Sequence, residues 1–135
     1  MKVEATLQPD PKDISFLREM IDAENPDKDA VSEVGFFIRN DEGEIIAGCN
    51  CFVLFGAIYT DQLWVHKFHR KQGLGRKLMD EIHNYGREAG CTMATVATMS
   101  FQRTIGFYEE FGYVVDHTRE GYIHGSSAIF LKKEL

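Results

Sequence analysis

The chain has 135 residues, 44% hydrophobic and 27% charged, which is the size and composition of one globular domain spanning 1–135. A formal net charge of −6 disfavours a nucleic-acid binder, and no run of about 18 apolar residues is present to cross a bilayer. Cys49, Cys51 and Cys91 lack any Cys-x-x-Cys spacing, so they are expected as reduced core residues and not as a disulfide framework or a metal site.

Val3, Ala5 and Leu7 alternate with polar residues and predict a first strand over Lys2–Gln8. Residues 1–9 carry no uninterrupted apolar block of the secretion-signal kind, so a cytoplasmic location is expected. Asp10-Pro11 is an N-cap followed by a first-turn proline, and Ile14, Leu17 and Ile21, with Phe16 and Met20, predict a helix to about Glu24. After a polar loop over Asn25–Asp29 come strands at Val34–Arg39 and Glu44–Phe55, joined by the hairpin turn Asn40-Asp41-Glu42-Gly43. Gly56 marks a turn before a strand at Ala57–Val65. From Gly73 the period changes: Leu74, Leu78, Ile82, Tyr85 and Ala89 predict the longest helix, closed by Gly90. A strand at Cys91–Thr98, a short helix over about Gln102–Phe111 stopped by Gly112, and strands at Tyr113–Glu120 and Ser127–Lys133 complete a mixed α/β domain.

Charge is divided unevenly along this order. Residues 1–61 hold 13 acidic and 5 basic side chains, whereas 62–135 hold 8 and 10. Between His66 and Met79 stand Lys67, Arg70, Lys71, Arg76 and Lys77 with no acid, so an anion belongs there. A strand ending in Leu63-Trp64-Val65 runs into this basic turn and then into Gly73 and Gly75, which open the long helix. Free amides of the first helical turn and the positive end of the helix dipole make an anion site, and glycine lets a phosphate approach the backbone. Two other phosphate loops do not fit. Gly75 is followed by Arg76-Lys77-Leu78 and not by Lys-Ser or Lys-Thr, and Leu78 stands where the dinucleotide fingerprint needs a third small residue.

Leu63-Trp64-Val65, the Arg70-x-x-Gly73-x-Gly75 loop, the helix to Gly90 and the segment Phe107-Tyr108-Glu109-Glu110-Phe111-Gly112-Tyr113 together resemble the GNAT acetyltransferase superfamily across nearly the whole chain. The resemblance implies a mostly antiparallel sheet of about seven strands flanked by helices, with Ala57–Val65 and Cys91–Thr98 as a splayed central pair. It implies acetyl-CoA as acyl donor, no metal, and direct transfer to a primary amine in a ternary complex. The Arg70, Lys71, Gln72, Gly73, Leu74, Gly75 and Arg76 segment would hold the CoA diphosphate, and Leu63, Trp64 and Val65 would pair with the pantetheine arm. The Val65 amide would polarise the thioester carbonyl in the manner of an oxyanion donor. Where the family often has an asparagine seven residues before its tyrosine, this chain has Phe101, and Gln102 is the substitute for that cofactor contact.

An alkyl amine with a pKa near 10.4 is protonated at neutral pH, so the reaction needs a base. Asp61 is the candidate: by strand alternation it shares a face with Leu63 and Val65, with Trp64 on the other. Tyr108 matches the family's tyrosine as proton donor to the departing thiolate. His66 and His69 flank the loop, and His117 and His124 sit on the closing hairpin as minor candidates. The acidic first half favours a cationic acceptor, a small molecule or a peptide amine. A homodimer through the C-terminal hairpin edge and a catalytically idle CoA sensor are the alternatives carried forward in assembly and in activity.

Overall fold

The structure, a computed structural model, describes residues 1–27 and 31–135. Helix α1 (Pro11–Ala23) precedes strands β1 (Val31–Arg39), β2 (Ile45–Leu54) and β3 (Ala57–Val65). Helix α2 (Leu74–Glu88), strand β4 (Met93–Met99), helix α3 (Ile105–Glu109) and strands β5 (Val114–Arg119) and β6 (Ala128–Glu134) follow. The strands form one sheet in the order β1-β2-β3-β4-β6-β5, in which β3 and β4 are parallel and the other neighbours antiparallel.

This is the expected mixed, mostly antiparallel sheet, but with six strands and not about seven. Among the described residues the strand predicted at Lys2–Gln8 is absent: that segment has no strand partner there, and Val3 and Leu7 are 98% and 95% exposed. Alternation supplies an apolar face, but a strand also needs an edge to pair with. Of the predicted polar loop, residues 28 and 29 lie outside the described residues.

Local chemistry shapes the other elements. Asp10 Oδ1 accepts the Lys12 amide at 2.9 Å, and Pro11 opens α1. In the β1–β2 turn, Asn40 Oδ1 accepts the amides of Glu42 and Glu44 at 3.0 and 2.9 Å. β4 starts at Met93 and not at Cys91 because the Cys91 amide donates to Gly86 O at 2.8 Å, closing α2 with Gly90 left-handed at φ 82°. The core lies on one face of the sheet, where Ala47, Cys49, Cys51, Ile58, Ala94 and Leu131 meet Leu78, Met79 and Ile82 of α2 and Tyr108 of α3. All three cysteines are free and buried.

One polar pair crosses this core. His83, buried on α2, bonds through Nε2 to the Tyr113 hydroxyl at 2.9 Å. Burial first, then the charges of Lys133 and Arg87, pull its pKa from 6.5 to about 4. The unfolded imidazole therefore takes up a proton below pH 6.5 that the folded one refuses until about pH 4, so stability present above pH 6.5 is lost as the pH falls through that window. A loss of about 2 kcal/mol between pH 7 and pH 5 is expected in urea titrations. His83→Gln should flatten that difference; an unchanged pH slope would assign the loss to other groups.

Candidate functional site

Where β3 and β4 part company defines the site. They pair only from Ala57↔Met93 to Thr60↔Val96, after which each keeps its other neighbour and the two diverge. On the β2 side, the His66 amide donates to Ile46 O at 2.8 Å, and the register Trp64↔Gly48, Val65↔Ala47 continues from it. Antiparallel ladders alternate, so the backbone polar groups of Leu63 and Val65 point away from β2 and into the opening. Val65 O uses its position to accept Arg70 Nε at 2.9 Å. The Leu63 amide and carbonyl and the Val65 amide thus form a strand edge without a strand beside it.

At the mouth of this opening, Gly73 caps α2 in the left-handed conformation at φ 83°, with no side-chain cap. Its carbonyl accepts the Lys77 amide at 3.1 Å, so the amides of Leu74, Gly75 and Arg76 have no partner within the helix. They face a cleft of about 700 Å³ lined by Leu63, Trp64, Val65, Arg70, Lys71, Gly73, Leu74, Gly75, Arg76 and Gln102. Ten of the eleven sequence-predicted binding residues therefore share one cavity. Gln72 does not line it, because its amide nitrogen turns back to Phe68 O at 3.4 Å.

Gly75 has a packing task besides its place in the loop. A Cβ at Gly75 would stand 3.0 Å from the Phe107 ring, so the missing side chain lets α3 close against the start of α2 and form the cleft wall. Gly75→Val is expected to destabilise by about 1–3 kcal/mol through overpacking. Phe107→Ala on that background should return part of the loss, read as a non-additive double-mutant cycle in thermal unfolding.

The cleft is also lined by His69 beside the loop, by Phe107, Glu110 and Phe111 of the aromatic segment, and by Arg103 and Thr104, which the sequence analysis did not single out. Phe107 and Phe111 stack edge-to-face at 5.0 Å, and the Arg76 guanidinium lies 4.9 Å from the Phe111 ring centre, tying α2 to α3. The i, i+4 spacing of the two phenylalanines was the available signal. Gln102 is in a 3-10 turn (Ser100–Gln102) ahead of α3, not at a helix start; its Oε1 accepts Thr98 Oγ1 and the Met99 amide at 2.9 and 2.8 Å. That fixes the side chain on the cleft wall and commits its oxygen, leaving the NH₂ group as its donor.

Tyr108 is not a wall residue. It is 93% buried behind Phe107, with ring contacts to Phe107 and Tyr113 at 5.1 and 5.6 Å. Burial first, then Cys51, Cys49 and Tyr59, push its phenol up to about 12. Asp61 sits at a β-bulge: Asn50 pairs with Gln62 and Cys51 with Thr60, so Asp61 opposes no residue and is exposed. The bulge resets the alternation, and the face carrying Leu63 and Val65 continues through Thr60. The Asp61 charge adds to burial in raising the Tyr59 phenol. Asp61 directly follows the last β3–β4 pair, Thr60↔Val96. His66 accepts the Phe68 amide at 3.1 Å and stacks on Trp64, while His117 packs against Phe130 and His124 lies exposed in the β5–β6 connection.

Among the described residues there is no cluster of three or more metal-ligating side chains, and no helix is long and apolar enough to cross a membrane. The profile of the Acetyltransferase (GNAT) family matches residues 3–113. Blasticidin-S acetyltransferase from Streptomyces morookaense is 33% identical over 96 residues, 70% of each chain. Acetyltransferase Atu2258 from Agrobacterium fabrum is 27% identical over 101 residues, 75% of this chain and 73% of its own. The crystal structure of an acetyltransferase from Bacillus cereus superposes with a TM-score of 0.75 at 26% identity, covering 100% of this chain and 98% of that one.

Proposed function

The chain belongs to the GNAT acetyltransferase family, and from that premise we propose that residues 1–135 work as one acetyl-CoA-dependent N-acetyltransferase domain with a primary amine as acceptor. The observation that carries this reading is the cleft beyond the point where β3 and β4 diverge, bounded by the end of β3, the start of α2 and residues 102–111, which joins an unpaired strand edge to an open helix N-terminus. A cleft of about 700 Å³ that is amide-lined at one end and strand-edged along one side fits a donor with a diphosphate and a peptide-like arm. Arg70, Lys71 and Arg76 add positive charge around the diphosphate. Leu63 and Val65 take the arm by strand addition, and the Val65 amide polarises the thioester carbonyl as negative charge develops there.

At pH 7, freeing an alkyl amine of its proton costs about 4–5 kcal/mol. Asp61, at the bulge just past the last β3–β4 pair, takes that proton and holds the incoming cation. Tyr108 gives a hydrogen bond and then a proton to the departing sulfur. The 13 acidic against 5 basic side chains of residues 1–61 favour a cationic acceptor, and three free, buried cysteines fit a reducing, cytoplasmic setting. The test is thiol release from acetyl-CoA across a panel of polyamines, aminated antibiotics including blasticidin S, and lysine peptides. Release that requires an amine supports the reading. No release with any amine, together with no thermal shift by CoA at 100 times a micromolar affinity, where about 2.7 kcal/mol is expected, would sink it.

A further inference from the structure

Two apolar surfaces lack partners among the described residues, and they match. The first is the apolar side of the arm formed by residues 1–22. Helix α1 has no buried residue, and Ile14, Phe16, Leu17, Met20 and Ile21 are 41–64% exposed. The family match begins at residue 3, so the arm is part of the domain and not an appendage. The second is the sheet face opposite the core. Helices α2 and α3 both join the core cluster, and among the described residues no helix covers the other side. That side presents Phe37, 55% exposed and lying over Gly48, with Trp64, 48% exposed, two strands away. At its margin β1 is a sheet edge, and residues 2–8 have strand alternation without a pairing partner among the described residues.

The geometry points to a dimer in which each copy donates its arm to the other: residues 2–8 add to the partner's β1 edge and α1 lies across the partner's open sheet face. An amphipathic helix left in water has little to hold it, since short helices draw their stability from packing. Exchange of an identical element satisfies both surfaces at once under two-fold symmetry. Area supports it as well. Each arm carries seven large apolar side chains, Val3 and Leu7 besides the five on α1, each 41–98% exposed. Two reciprocal arms with their backbones reach the ~1,600 Å² total of a specific interface. The inference is independent of acetyl transfer, and its test reads mass and connectivity only.

Light scattering on the full chain should give twice the 15.4 kDa chain mass; a monomer at every concentration overturns the proposal. Leu17→Asp with Ile21→Asp should give a monomer of unchanged β-sheet circular dichroism, whereas Val115→Lys, at the opposite edge strand β5, should remain dimeric. The reverse pattern overturns the arm in favour of the hairpin edge. Should the double variant not fold, wild-type protein decides. ¹⁴N and ¹⁵N chains are refolded together and coupled with carbodiimide, and linkages from Lys2 or Lys12 to carboxylates of the sheet should include pairs of one light and one heavy peptide. Linkages confined to one isotope, or no such linkage, show an arm folded on its own chain or on nothing, and overturn the exchange.

Discussion

Tyr108→Phe is expected to lower kcat about 10²-fold or more while leaving the thermal shift produced by CoA unchanged. The substitution keeps the ring, and with it the edge-to-face contacts at 5.1 and 5.6 Å to Phe107 and Tyr113. It removes only the hydroxyl. A phenol raised to about 12 is a weak acid, and giving its proton to a thiolate is uphill in water. Desolvation works on both partners in the same sense, since it disfavours the thiolate as it does the phenolate, so a sulfur leaving in a dry site is a stronger base than in water. The same elevation keeps Tyr108 protonated throughout the working range, so the pH–rate profile should rise with amine deprotonation and show no basic limb from the tyrosine below pH 10. A Phe variant that turns over at the wild-type rate would remove Tyr108 from the chemistry. Loss of kcat together with the CoA shift would make it a structural residue instead.

What could be read from the sequence divides by range. The loop from Arg70 to Arg76 was legible because its conformation is local: a glycine at φ 83°, a strand end before it and a helix after it fix where the amides point. The splayed pair followed from resemblance, and the register accounts for it physically, since β3 and β4 share only the stretch from Ala57 to Thr60. Asp61 shows where strand periodicity stops being informative. One extra residue in β3 against β2 moves it off the face that counting by twos assigns, and no residue type there announces a bulge. Gly75 has a second reason to be glycine that the loop alone does not show, because the ring it accommodates belongs to Phe107, 32 positions later. The arm failed as a strand because pairing is a property of two segments. Residues 2–8 have the right alternation, and no strand among the described residues pairs with them.

Gly73→Val should raise KM for acetyl-CoA roughly 10–100-fold, the loss expected when one or more charge-assisted hydrogen bonds to a diphosphate are misaligned. The space around Gly73 is open, with no atom within 4 Å of a Cβ built there, so sterics with neighbours are not the cause. The cause is the backbone: φ 83° is strained by about 1–3 kcal/mol for a β-branched residue. Relief by rotation about Gly73 turns the amides of Leu74, Gly75 and Arg76 away from the cleft. Gly73→Asn tolerates the left-handed conformation and should stay within a few-fold of wild type. Acetyl-pantetheine, which has the thioester and the arm but no diphosphate, separates the explanations. Its KM should be indifferent to Gly73→Val if the helix start grips phosphate, because the strand edge at Leu63 and Val65 is untouched. Equal losses with both donors would mean that the valine disturbs the cleft as a whole, and no loss with either would mean that these amides do not hold the donor.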